Sequence, residues 1–290
     1  MTYSRPLPFR LPPAKARAVR RSVNAQEAIV ASTMAKAVGA MELIAAQVFN
    51  RLLAGAPYAD PRMAELDAVM EGFLRITVTT ALRVGDHNYH ADTGRTTARL
   101  ARLPRGRLPD VQSLRELYRN TAAWQGMERR NRLYTNRLKA AYARKLRQYF
   151  ARLVPRVTSG ELTPAEAQAQ LQRTVRSTAP RVKTIFRTET TKYFAEAQRA
   201  YFDDEPGIIG YLFDSVGDTA RTEICRSRHG MVIPMGSKSL LDKNTPPLHW
   251  NCRSHLIPMA DTPSNRKLLA DASRMPGNRR LAPLPPGWAA

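Results

Sequence analysis

The sequence predicts an α+β protein in which long helices come first and a small C-terminal β-containing module follows. Three observations carry this. Apolar residues recur every three or four positions through most of the first 200 residues, the spacing of one helix face. After Pro206-Gly207 the composition changes to Ile208-Ile209-Gly210-Tyr211-Leu212-Phe213 and Met231-Val232-Ile233, clusters with the make-up and length of strands. Apolar side chains supply 43% of the 290 residues, which is enough for a core and argues against wholesale disorder.

In chain order, residues 1–23 are rich in Pro, Arg and Lys without a period and predict an extended basic arm. Val30, Met34, Val38, Met41, Ile44, Val48 and Leu52 then keep helical spacing, so a long helix is expected over 24–53. It should stop at Gly55-Ala56-Pro57. Asp60-Pro61 is a start signal for a second helix over 63–83, and the polar stretch 85–110 reads as a long loop. A third helical region spans 111–153, with Tyr134, Leu138, Tyr142, Leu146, Tyr149 and Leu153 on one stripe. Thr163-Pro164-Ala165-Glu166 combines an N-cap, a first-turn proline and a capping glutamate. A short helix should follow it, then a turn at 177–180 and a helix over 181–202. Ser254-His255-Leu256-Ile257 supplies a third strand. Together these give an arm at 1–23, a helical domain with a basic face at 24–158, a module-bearing domain at 159–260 and a Pro-rich tail at 261–290.

Charge narrows the function. The chain carries 46 Lys and Arg against 24 Asp and Glu, a net +22, with a pI near 10.8. That balance argues against an ordinary metabolic enzyme and for a polyanionic partner. Residues 93–157 hold 17 basic and 3 acidic residues. Arg129, Arg130, Arg132, Arg137, Lys139, Arg144, Lys145 and Arg147 lie there, mostly off the apolar stripe, with Glu128 as the one acidic neighbour. Like charge without i,i+4 partners destabilises a helix unless a polyanion neutralises it. These eight residues are the candidate contacts to a nucleic-acid phosphate backbone, DNA first, in a non-specific and salt-sensitive mode. A solvated face and an acidic protein surface are the competing readings. No run of eighteen apolar residues suggests a membrane span, and the N-terminus lacks a signal-peptide layout, so synthesis in the cytoplasm is expected.

Two cysteines cannot form a disulfide framework. Cys225-x3-His229 and His249-x2-Cys252 do offer two thiolates and two imidazoles in close pairs, the donor set of a structural zinc site. Two buried reduced thiols and a redox disulfide are the alternatives. His249-x-Asn251-x3-His255 also has the spacing of a ββα-metal nuclease, in which one His is the general base and another binds a divalent cation. That makes a metal-dependent DNA nuclease the alternative function. His87-x2-His90 falls in the expected polar loop, where such a pair is most often incidental.

Arg187-Thr188-Glu189-Thr190, on the helix expected over 181–202, is followed by Asp218, Arg221, Cys225-Arg226, His229-Gly230 and Pro246-Pro247-Leu248-His249-Trp250-Asn251-Cys252-Arg253. In order and spacing over about 160–260 this set resembles the motifs of the Mu F-like phage head morphogenesis proteins, with Arg187-Thr188-Glu189-Thr190 similar to that family's helical signature. The resemblance implies a non-enzymatic minor head protein of a tailed bacteriophage. Its implied partners are the portal, the major capsid or scaffold proteins and packaged DNA, with several copies around the portal inside the virion. Thr222 and Ser254 stand where many members carry further cysteines. Arg187, Glu189, Asp218 and Arg253 are the structural motif residues. Glu189, at the edge of an apolar stripe, needs a partner if it is buried; Arg253 is the candidate, and a solvated Glu189 is the alternative.

Overall fold

A computed structural model describes residues 13–95, 109–118, 122–217, 219–274, 281–286 and 288. The fold is α+β, with a small three-stranded sheet set into a helical body.

Helix α1 (Pro13–Leu53) opens eleven residues before the expected start. Residues 13–23 are therefore helix and not extended arm, and 1–12 lie outside the described residues. The reason is tertiary: Ala18 and Val19 pack against the outer face of the sheet, which gives the segment something to cover despite its weak period. By length and composition α1 also passes as a membrane span. Here Ile29, Val30, Ala37, Met41, Ile44, Ala45, Val48 and Phe49 are buried in the core.

Helix α2 (Ala64–Thr93) runs ten residues past the expected end, so the predicted loop from 85 is a correction. Residues that looked polar are used for packing. Gly85 lets the Phe202 ring approach to where a Cβ would lie 2.5 Å from it, and Asn88 Oδ1 accepts from Arg21 Nη2 at 2.8 Å. Gly94, in the left-handed region, ends the helix. His87 and His90 consequently sit on a helix. The remainder of the predicted loop, 96–108, lies outside the described residues.

The third helical region is two helices, α3 (Val111–Leu117) and α4 (Ala122–Thr158). Asp110 caps α3 through the Ser113 N–H at 2.7 Å. The buried face of α4 follows the expected stripe at Tyr142, Leu146 and Leu153, but near its start it shifts to Trp124, Met127, Asn131 and Thr135. Thr163 and Glu166 form the predicted capping box on α5 (Pro164–Arg176). Helix α6 (Ala179–Phe202) follows. Its Phe186 and Tyr193 meet the Phe73 ring of α2 edge-on at 5.0 and 5.9 Å, and Phe49 of α1 stacks on Phe150 of α4.

The predicted strands form: β1 (Ile208–Asp214), then α7 (Glu223–Arg228), β2 (Met231–Pro234), α8 (Lys238–Lys243) and β3 (His255–Ala260). The order is β2-β1-β3, antiparallel throughout. Alternation divides the sheet. Tyr211, Phe213, Ile233 and Leu256 join the helical core, while Leu212, Val232, Ile257 and Met259 face outward. The outward face is covered by Ala18, Val19 and by Leu268 and Leu269 of α9 (Pro263–Arg274). The expected Pro-rich tail thus begins with a helix, because the sheet's second face has to be buried. Farther on, Ala282 docks on α7: its carbonyl accepts from Arg228 Nη1 at 3.0 Å and its N–H donates to Ser227 Oγ at 3.1 Å.

Candidate functional site

The loop before β3 turns sharply at Asn251, whose φ is 62°, a conformation that Asn tolerates better than most residues. Three side chains of α6 hold this turn. Thr188 Oγ1 accepts from the Asn251 N–H at 2.9 Å, Arg187 Nη1 donates to Asn251 Oδ1 at 3.0 Å, and Thr191 Oγ1 donates to the Cys252 carbonyl at 2.7 Å. Arg187 also donates to Glu27 Oε2 of α1 at 2.6 Å. Positions 187, 188 and 191 share one side of a helix, which is why one run can grip one turn. Thr188 lies in the quoted Arg187-to-Thr190 motif but had no role assigned from sequence, and Thr191 and Glu27 were not singled out. The i,i+3 threonines were the legible signal, whereas Glu27 lies 160 residues from its partner.

The turn carries His249 and Cys252 toward Cys225 of α7. Both thiols are free and buried, with Sγ atoms 3.7 Å apart. His249 Nε2 lies 3.0 Å from Cys225 Sγ and 2.9 Å from Thr222 Oγ1. Its Nδ1 lies 2.7 Å from the Trp250 carbonyl, to which it donates, leaving Nε2 to face the thiols. The ligand atoms of Cys225, His249 and Cys252 all fall within 4.8 Å of one another. Cys225 is pushed up by its hydrogen bond to Cys252 and by burial. Burial alone would raise Cys252, but hydrogen bonds from Cys225 and His249, with the His249 charge, bring it well below the usual thiol range. Burial works against His249 as well, and contact with Cys252 outweighs it and raises the imidazole.

His229 does not join this cluster, which corrects the four-residue set. Helix α7 stops at Arg228, and His229 leaves the helical conformation. The chain then turns through Gly230 (φ 76°). The ring ends beside Asp214, with Nδ1 3.0 Å from Oδ1. His255 is fully buried against Gln26, Nδ1 to Nε2 at 2.9 Å. Among the described residues no cluster of three ligand atoms contains both His249 and His255, so the nuclease-like spacing is not assembled into one site. Asp218 lies outside the described residues.

Glu189 is also a correction. It points away from Arg187, as residues two apart on a helix must. Its charged neighbours are Lys192, Glu196 and Arg130, in place of the expected Arg253, and burial raises its carboxyl above the usual range. Glu196 is raised by burial too, although Arg130 opposes the shift.

Three of the eight candidate DNA contacts, Arg130, Lys139 and Arg147, are paired with carboxylates of other segments. Arg130 pairs with Glu196 of α6, Lys139 with Asp67 of α2 at 2.8 Å, and Arg147 with Asp60 at 2.7 Å while covering the Tyr58 ring. These carboxylates are 66, 72 and 87 residues away, beyond the reach of any local charge count. Arg129, Arg132, Arg137, Arg144 and Lys145 are exposed, with no carboxylate paired to them among the described residues.

No curated protein sequence and no solved structure shows a significant match to the chain. Residues 151–257, which contain α5, α6, the sheet's first two strands and the cysteine turn, match the family model described as Phage Mu protein F like protein, the family that the Arg187-to-Arg253 motifs resemble.

Proposed function

We propose that the chain is a structural head morphogenesis protein of a tailed bacteriophage, located near the portal, whose α4 ridge meets packaged duplex DNA. The family match supplies the head-protein part of this reading. The observation that carries the finer part is the ridge of Arg129, Arg132, Arg137, Arg144 and Lys145, the five of the eight candidate cations with no carboxylate paired to them among the described residues. A helix side with that charge attracts phosphate by counterion release and reads no bases. It suits a protein that must tolerate any sequence of packaged DNA. Several copies around the portal would set such ridges beside the entering duplex, and portal, capsid and scaffold proteins are the protein partners under this reading. Purified particles test it. The protein should be found in a fixed ratio to the portal and should stay with the portal when capsids are disrupted. Protein absent from mature and precursor heads alike would overturn the reading.

A further inference from the structure

We propose that Cys225, Cys252 and His249 bind one thiophilic divalent cation of the zinc class, with the Thr222 side chain at the fourth position and His229 taking no part. The inference stands apart from the head-protein reading, because it rests on the geometry of one turn.

Two thiolates on a tetrahedral zinc, each at about 2.3 Å, are separated by roughly 3.7–3.8 Å. The two Sγ atoms are 3.7 Å apart, whereas a disulfide needs about 2.05 Å. The third donor is prepared in the manner of a metal-bound histidine. Its Nδ1 is engaged by a backbone carbonyl, which fixes the ring and directs Nε2 inward. Nε2 to Sγ is 3.0 Å, shorter than the roughly 3.5 Å tetrahedral edge, so a bound cation would press the ring outward by a few tenths of an ångström. The backbone around these donors is held by Thr188, Arg187 and Thr191. This supporting shell keeps a three-ligand site from collapsing when empty.

Thr222 Oγ1, 2.9 Å from Nε2, borders the same space, and Thr222 is exposed. The fourth position therefore opens to solvent and is flanked by a hydroxyl, a weak ligand beside a thiolate. A cation here is exchangeable, unlike one in a closed four-ligand structural site.

Titrating the reduced full-length protein with cobalt(II) tests this directly. The native chain should develop a tetrahedral cobalt spectrum with a thiolate charge-transfer band that saturates at about one metal per chain and is erased by zinc. Thr222→Cys should raise that band by about half, from two thiolates to three, and tighten binding at least tenfold. His229→Ala should change neither band nor affinity, while Cys252→Ser should abolish the spectrum. No tetrahedral spectrum in the native chain would overturn the site itself. A normal native spectrum with no gain in Thr222→Cys would overturn the fourth position alone, and loss of the spectrum in His229→Ala would overturn the ligand set. The Thr222 and His229 variants keep the test decisive should Cys252→Ser fail to fold.

Discussion

The ridge of α4 and the turn at 249–252 are built in opposite ways. Arg129, Arg132, Arg137, Arg144 and Lys145 project from a helix whose other side is packed, and no other part of the described chain answers their charge. In the turn, the Asn251 N–H, the Asn251 side chain and the Cys252 carbonyl are each answered from α6, across 61 to 64 residues. A ridge of this kind needs only the helical period, so its chemistry is available to an outside partner. The turn depends on tertiary contacts and therefore reports on the integrity of the whole fold.

The turn's dependence is the easiest part of this contrast to break. A fragment of residues 151–257 should fail to fold cooperatively, since it lacks Phe73 beside Phe186 and Tyr193 and Glu27 beside Arg187. Circular dichroism during urea titration would reveal this, and a sharp transition in the fragment would break the comparison. In the full chain, Phe73→Ala should cost about 3–5 kcal/mol, as large aromatic deletions from cores do, measured by the same titration. Thr191→Val should cost about 1–3 kcal/mol by leaving a buried carbonyl unanswered. Its amide exchange should quicken around 251–253 and stay unchanged in α4. At the small end, Arg147→Gln removes an exposed ion pair with Asp60 and should leave the melting midpoint unmoved.

Where the sequence was legible, a short-range rule was in force. The capping box at Thr163 and Glu166, the helical stripe at Tyr142, Leu146 and Leu153, and the strand clusters at 208–213 and 231–233 all follow from neighbours within a few residues. The illegible parts were decided at a distance. Residues 13–23 fold because Ala18 has a sheet to cover, and α2 continues because Gly85 and Asn88 fit against α6 and α1. Within the candidate site, the spacing found Cys225, His249 and Cys252. It placed His229 with them, but α7 ends at Arg228 and the chain turns through Gly230, which carries the His229 ring to Asp214. Counting charge pointed to α4, yet among its eight candidates it could not separate five open cations from three that are tied to Glu196, Asp67 and Asp60.

That separation is also the most direct test of the ridge as a DNA surface. Affinity for a mixed-sequence duplex would be measured across salt concentrations for the native chain and two variants. In one variant Arg129, Arg132, Arg137, Arg144 and Lys145 become Gln; in the other Arg130, Lys139 and Arg147 do. Each phosphate contact contributes a slope of about 0.9 in log affinity against log salt. The five-residue variant should lose about three to five units of slope and most of the affinity, while the three-residue variant keeps the native slope to within about one unit. Equal losses in the two variants would reduce the effect to net charge, and a native chain with no salt-dependent binding would contradict the assignment of α4 to DNA.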